Sequence, residues 1–145
     1  MNYGIKLKEL REYNNMSQYD VAELLDIKRS SYNQFEQQYD IIPIKRLNQL
    51  ANIFHCSIDY ILGLADTKNY QGSRLEIDTT LSKERLKQFR KEHGLTQDKL
   101  AKLLETTQSV VCGFEKGRNL IATPFLYTIC HKYHVSADYL LGRID

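Results

Sequence analysis

Arg29, Ser30, Asn33 and Gln34 lie in one short stretch, spaced so that a helix would carry all four on a single face. Their chemistry suits planar hydrogen-bonding edges. An arginine can bridge two acceptors such as guanine O6 and N7, and an asparagine or glutamine can match the adenine N6 donor and N7 acceptor. The plainer reading of the same residues is a solvated helix face. Seventy-nine residues further on, Gln108 and Ser109 occupy the places of Arg29 and Ser30, but Val110, Cys112 and Gly113 follow as the next outward positions. These offer little hydrogen bonding, so poorer base discrimination is expected there. Val110 would be limited to a thymine methyl, and Gly113 weakens its helix by about 1 kcal/mol relative to Ala. Beyond each stretch the chain differs again: Lys116-Gly117-Arg118-Asn119 is basic and contains Gly, whereas Gln37-Gln38-Tyr39-Asp40 has no Gly and ends in an acid.

Other chemistries are poorly served. No nucleophile stands beside a base, and neither paired carboxylates nor a Gly-rich phosphate loop occur, so no catalytic residue, cofactor or small-molecule ligand is expected. Cys130, His131 and His134 crowd one segment, but a zinc site needs three or four converging ligands and no further Cys or His supplies an obvious fourth, so no metal is expected either. The three cysteines are an odd number without a Cys-x-x-Cys pair, which suits reduced thiols. Cys56 and Cys130 align with apolar positions of the other half and are expected in the core. Cys112 aligns with the outward Asn33, and only Lys116 stands near enough to favour its thiolate.

The net charge of +2 is too small to announce a polyanionic partner, but it is unevenly placed. Residues 1–64 carry seven Lys/Arg against eight Asp/Glu, and residues 81–143 carry eleven against six, so only the second half is basic. No run approaches the roughly 18 apolar residues of a membrane span, and Met-Asn-Tyr-Gly-Ile-Lys has no apolar signal core behind it. The expectation is a cytoplasmic protein without membrane contact.

The elements that must position these side chains come from an internal repeat. Leu7–Leu64 aligns without a gap on Leu86–Arg143, matching Arg11 with Arg90, Gln18 with Gln97, Ala22 with Ala101, Phe35-Glu36 with Phe114-Glu115 and Asp59-Tyr60 with Asp138-Tyr139. Apolar residues recur at three- and four-residue steps, which predicts helices near 5–14, 18–25, 29–37, 44–54 and 58–63, and again near 83–93, 97–104, 108–116, 123–133 and 137–142. Ser17, Thr96, Ser57 and Ser136 sit where N-cap oxygens belong, and Asp59 and Asp138 lie in a first turn. Pro43 and Pro124 mark entry to the fourth helices, and Gly63 and Gly142 mark the ends of the fifth. Residues 65–80 have a turn-rich linker composition, in which Leu75 and Ile77 could form a short extended stretch. A flexible linker of that length has a root-mean-square span of roughly 20–24 Å. The expected architecture is all-α: one domain at 1–64, a linker at 65–80 and a second domain at 81–145.

A helix ending in Leu24-Leu25, a turn at Asp26-Ile27-Lys28 and a helix with Tyr32 and Phe35 facing inward form the pattern of a helix-turn-helix. The chain resembles the phage-repressor, Cro and XRE-type helix-turn-helix proteins in Leu7–Arg11, Ser17–Leu25, Lys28–Glu36 and Ser57–Gly63. It does so again in Leu86–Arg90, Thr96–Leu104, Thr107–Glu115 and Ser136–Gly142. The resemblance covers about four-fifths of the residues and implies two five-helix domains that bind double-stranded DNA as a transcriptional regulator, most simply a repressor. It places recognition helices near 29–37 and 108–116 in the major groove, where Arg29, Ser30, Asn33, Gln34, Gln108 and Ser109 would read bases. It gives Gln18, Gln97, Lys116 and Arg118 to phosphates, although Gln18 can also be read as a plain helix-initiating residue. It implies structural ion pairs between Arg11 and Glu36 and between Arg90 and Glu115. The first unit departs from the family pattern in its loop at 37–40 and in Lys28, where an N-cap Ser or Thr is usual. Tyr13, Tyr19 and Tyr39 are candidates for sugar or phosphate contact.

The two modules can act as a covalent pseudo-dimer on grooves about 34 Å apart, or the chain can form a homodimer with four modules. The departures fit a division in which the first unit discriminates sequence and the second supplies electrostatic grip. A rival division makes one unit a dimerisation module. The alternative function is a protein-interaction module, antirepressor- or antitoxin-like, using the same helix surfaces.

Overall fold

The computed structural model describes all 145 residues as ten helices without strands. They fall into two compact units, Met1–Leu75 and Glu76–Asp145. Unit 1 holds α1 (Tyr3–Tyr13), α2 (Gln18–Leu25), α3 (Arg29–Glu36), α4 (Ile44–Ile53) and α5 (Ile58–Ile61). Unit 2 holds α6 (Thr79–Glu92), α7 (Gln97–Leu103), α8 (Gln108–Glu115), α9 (Thr123–Tyr133) and α10 (Ala137–Leu140). No helix is long and apolar enough to cross a membrane.

Each helix is too short to be stable alone, so burial of one face sustains it. In unit 1 the core is built from Leu7, Leu10, Val21, Leu25, Tyr32, Leu47, Leu50, Ile58 and Ile61, all buried. Unit 2 fills the same places with Leu86, Phe89, Leu100, Leu104, Val111, Leu126, Ile129, Ala137 and Leu140. Cys56 and Cys130 are buried as expected, and no disulfide joins the cysteines. His131 stacks on Tyr127 at 5.4 Å and His134 ends α9 with a left-handed φ of 55°, so Cys130 alone of that trio faces the core.

The helix ends follow side-chain chemistry. Ser57 and Ser136 accept from the amides of Tyr60 and Tyr139 at the starts of α5 and α10, as their types imply. These two helices are a single turn each and stop before Gly63 and Gly142, which both adopt φ of +75°. α6 begins at Thr79, four residues earlier than the periodicity predicts, because Asp78 caps it by accepting from the Leu81 amide at 3.0 Å.

Residues 65–75 are attached to unit 1 rather than loose. The Ser57 amide donates to the Lys68 carbonyl, Tyr70 packs edge-on to His55 at 5.2 Å, and Asn48 and Asn52 donate to the Leu75 carbonyl at 3.1 and 2.7 Å. The Asp78 amide in turn donates to Leu141 of unit 2. Only Glu76 and Ile77 lie between these tie points, so the span calculated for 16 flexible residues does not describe this segment. Leu75 and Ile77 form no strand.

Candidate nucleic-acid interface

In each unit the second and third helices are joined by the same turn. Asp26 and Glu105 take left-handed φ angles of 56° and 58°, and the next amides, Ile27 and Thr106, reach back to the carbonyls of Ala22 and Ala101 at 3.0 and 2.9 Å. This is the hydrogen-bond pattern of a Schellman stop, which turns the chain sharply while satisfying the last carbonyls of the preceding helix. Ala22 and Ala101 are both buried. The start of the second helix is equally defined: Ser17 accepts from the Asp20 amide and Asp20 accepts from the Ser17 amide, a reciprocal cap. Those bonds, chiefly the Ser17 amide, hold the Asp20 carboxyl below its ordinary pKa. Thr96 caps α7 through the Lys99 amide at 3.1 Å.

Beneath the third helix lies an ion pair in each unit. Arg11 donates through Nε and Nη2 to both oxygens of Glu36 at 3.2 and 2.8 Å, and through Nη1 to the Met16 carbonyl at 3.0 Å. Arg90 does the same with Glu115 at 2.7 and 3.0 Å and with the Leu95 carbonyl at 2.9 Å. One guanidinium therefore fastens the first helix, the following turn and the far end of the third helix. The carboxylate bond raises the pKa of each arginine, and Glu36 and Glu115 have side chains only 2% exposed. Arg11 with Glu36 and Arg90 with Glu115 are thus the ion pairs that tie the first helix of each unit to its third.

The outward side is graded. Arg29, Ser30, Gln108, Ser109 and Val110 are exposed at the first turns of α3 and α8, while Asn33, Gln34 and Cys112 are half-buried further along. Lys116 and Arg118 are exposed in the loop after α8, and Tyr13, Tyr19 and Tyr39 are exposed in unit 1. Two placements depart from the sequence reading. Gly113 is buried, with Asn119 Nδ2 only 3.7 Å from where its Cβ would stand, so it belongs to the packing and not to the outward set. Phe35 is half-exposed; Tyr32 anchors α3, whereas Phe114 in α8 is fully inward. Burial, followed by the Glu36 charge, raises the Tyr32 hydroxyl far above its usual pKa.

The glutamines that open α2 and α7 engage neighbouring side chains. Gln18 Nε2 donates to Asn33 Oδ1 at 3.0 Å. Gln97 Nε2 donates to Glu115 Oε1 at 3.2 Å, and its own Oε1 accepts from Gln108 Nε2 at 3.4 Å. The partner choice follows position 33/112: Asn33 offers an acceptor, Cys112 does not, and Gln97 turns to the carboxylate instead. Sequence reasoning missed these links, although the exchange of Asn for Cys in the aligned repeat was the available signal. It also missed Arg46, which donates from α4 to the Leu25 carbonyl at 2.9 Å and so holds the end of α2.

The loop after α3 explains its missing glycine. Gln38 takes the left-handed φ of 60° that Gly117 takes at 77° in unit 2, and its side chain accepts from the Gly4 amide at 3.0 Å. Gly4 makes room for this, since a Cβ there would collide with the Glu36 carbonyl oxygen. Lys28 begins α3 without a side-chain cap, whereas Thr107 accepts from the Val110 amide at 3.4 Å. No group of three or more His, Cys, Asp or Glu side chains is arranged to hold a metal ion.

Comparison with known proteins agrees with this geometry. A family model described as "Helix-turn-helix" matches residues 7–61, and one described as "Helix-turn-helix domain" matches residues 83–145. The chain is 32% identical over 81 residues to the uncharacterized HTH-type transcriptional regulator YobD of Bacillus subtilis (strain 168), covering 56% of this chain and 72% of that protein. It is 33% identical over 63 residues to the HTH-type transcriptional regulator ImmR of the same organism, covering 43% of this chain and 50% of ImmR. It is 38% identical over 66 residues to the HTH-type transcriptional regulator PrpR of Mycobacterium tuberculosis (strain ATCC 25618 / H37Rv), covering 46% of this chain but only 14% of PrpR. No solved structure matches the chain significantly.

Proposed function

Given that this chain belongs to the XRE-type helix-turn-helix family of DNA-binding transcriptional regulators, we propose that α3 and α8 are its recognition helices and that it acts most simply as a repressor. The observation that carries this reading is the same in both units: the first turn of the third helix is exposed, as Arg29-Ser30 and Gln108-Ser109, while its last residue is locked to the first helix by a bidentate ion pair. A helix held at its far end and free at its near end suits insertion into the major groove. Arg29, Ser30, Asn33 and Gln34 then face base edges from the domain at 1–64, and Gln108 and Ser109 from the domain at 81–145. The backbone amides at the starts of α2 and α7, together with Lys116 and Arg118, face phosphates. Unit 2 supplies most of the electrostatic attraction, because its half of the chain carries the excess of Lys and Arg.

The test is selection of duplexes from a randomised library by the full chain, followed by titration of the selected duplex in salt. Groove recognition predicts a selected motif and a logarithm of affinity that falls linearly with the logarithm of salt concentration. Equal binding to all duplexes, or binding indifferent to salt, would remove the proposal. The length and symmetry of the motif also report how many modules engage, and hence whether one chain or a homodimer occupies the site.

A further inference from the structure

We propose that unit 2 contains a binding site for a small phenol, because it has a cavity at the place where unit 1 buries the ring of its own Tyr3. The inference goes beyond the DNA-binding reading and does not depend on it. It comes from setting the two repeats side by side at one corner. In unit 1 the Tyr3 side chain, only 2% exposed, runs from the first turn of α1 to the loop after α3. Its hydroxyl donates to the Asp40 carbonyl at 3.4 Å and accepts from the Ile42 amide at 3.3 Å. With the same offset of 79 residues, Ser82 stands at the place of Tyr3, Asn119 at that of Asp40 and Ile121 at that of Ile42. Serine is too short to reach that loop.

Unit 2 therefore keeps the walls and loses the ring. A cavity of about 230 Å³ lies between the start of α6 and the loop after α8. Leu86, Phe114 and Ile121, all buried, make its walls apolar. An apolar cavity of about 150 Å³ is already enough for a benzene ring. The polar end of the site is left over as well. No carbonyl or side chain of the protein accepts from the Ile121 amide, the counterpart of the one that Tyr3 satisfies in unit 1. A buried donor of this kind favours a ligand that brings an acceptor. The Ser82 hydroxyl, on a residue 3% exposed, borders the same cavity and is engaged by no other group of the chain. A phenol meets both needs: its ring fills the apolar part, and its hydroxyl accepts from the Ile121 amide while donating to the Asn119 carbonyl, as Tyr3 does at the matching atoms. Lys83 and Arg118 also border the cavity, but Arg118 is exposed and the enclosed walls are apolar, which favours an uncharged ring over an anion.

The experiment is a titration of the isotopically labelled full chain with phenol, and separately with benzene, followed through the backbone amide resonances. Phenol is expected to give saturable shifts confined to the first turn of α6 and to residues 113–121, with Ile42 and the rest of unit 1 unmoved. The Ile121 amide proton should move downfield as it gains an acceptor. Benzene brings a similar ring current without the hydroxyl, so it should shift Leu86 and Phe114 alike and lack the downfield movement at Ile121. Ser82→Tyr restores the residue of unit 1 and should abolish the response to phenol. Shifts that do not saturate or that scatter over both units would overturn the inference. So would an Ile121 amide that responds alike to phenol and benzene, or an undiminished response in Ser82→Tyr. The wild-type titrations decide the matter by themselves if that variant does not fold. All of these readouts are taken without DNA, so their failure leaves the DNA-binding reading in place.

Discussion

Unit 1 packs Gly4 of its first helix against Gln38 of the loop after its third, and unit 2 packs Lys83 against Gly117 at the same two places. The bulk has changed sides while the contact has stayed. At the end of the fifth helix the exchange concerns charge: Arg143 is fully buried and donates to Asp138 at 3.1 Å, whereas unit 1 has Leu64 there and leaves Asp59 half-exposed. On the outer side of the first helix it concerns reach. Lys6 lies over the Tyr60 ring at 4.5 Å, while Arg85 lies over Tyr139 at 4.1 Å and also donates to the Tyr139 and Ile144 carbonyls. The two repeats therefore teach which features the scaffold needs. The Arg–Glu pair beneath the third helix and the left-handed turn before it are built alike, and the rest is open to exchange so long as volume and charge balance locally.

The largest break in this comparison should come from Asp138→Ala, which leaves the Arg143 guanidinium buried without its carboxylate. Loss of one partner of a buried pair costs about 3–5 kcal/mol. Asp59→Ala, at the half-exposed equivalent, should cost about 0.5–1 kcal/mol through the helix dipole and cap region. Adding Arg143→Leu to Asp138→Ala recreates the apolar choice of unit 1 and should recover most of the loss. Urea unfolding of the full chain followed by circular dichroism measures all three. Equal losses at 59 and 138 would show that burial of the pair does not distinguish the units.

Gly4→Ala should rank next. Its new methyl meets the backbone carbonyl of Glu36, which cannot move without disturbing the end of α3, and overpacking of this kind costs about 1–3 kcal/mol. Gly117→Ala meets only the flexible Cδ of Lys83, at 3.2 Å, so its cost reduces to the left-handed backbone, about 1 kcal/mol. The order of the two unfolding midpoints is the readout, and a reversed order would mean that the loop, rather than the first helix, carries the tight contact.

How far the sequence disclosed this molecule depends on the range of the interaction. Helices, caps and stops were legible because Ser17, Thr96, Ser57 and Ser136 act on amides three residues away and apolar spacing is a local property. The Arg11–Glu36 and Arg90–Glu115 pairs came from family resemblance joined to the repeat. Gly113 was misplaced outward because its alignment with Gln34 said nothing of Asn119 packed beside it. The amide links of Gln18 and Gln97 were hidden for a similar reason: an identical residue in both repeats takes a different partner according to what stands 15 positions away, Asn33 in one and Cys112 in the other. Arg143 was invisible as a core residue, since a buried guanidinium is exceptional and its partner had already been explained as a first-turn carboxylate.

The division of electrostatic labour is sharpened by removing the loop cations. Lys116→Ala with Arg118→Ala should reduce the magnitude of the salt slope by about 1.8 if each neutralises one phosphate, and should weaken binding similarly on all duplexes. Gln37→Ala with Gln38→Ala, at the matching loop of unit 1, should leave the slope unchanged, because neither residue is charged. A slope insensitive to the loss of both cations would place the backbone contacts of unit 2 elsewhere.

The smallest expected effect is a gain. α3 begins at Lys28 with no side-chain oxygen to accept from its first amides, whereas Thr107 supplies one at the start of α8. Its backbone is already suitable, with φ −69° and ψ 146°, in the extended region that an N-cap threonine occupies. Lys28→Thr should therefore stabilise unit 1 by about 0.5–1 kcal/mol, seen as a raised urea midpoint, and Thr107→Ala should cost unit 2 about as much. Because Lys28 is exposed beside Arg29, the same substitution also separates stability from binding. If Lys28 touches a phosphate, the stabilised chain should bind DNA more weakly and with a salt slope smaller in magnitude by about 0.9. A chain that gains stability and keeps its slope would assign Lys28 no contact with the duplex and leave the first unit's uncapped helix as a purely structural cost.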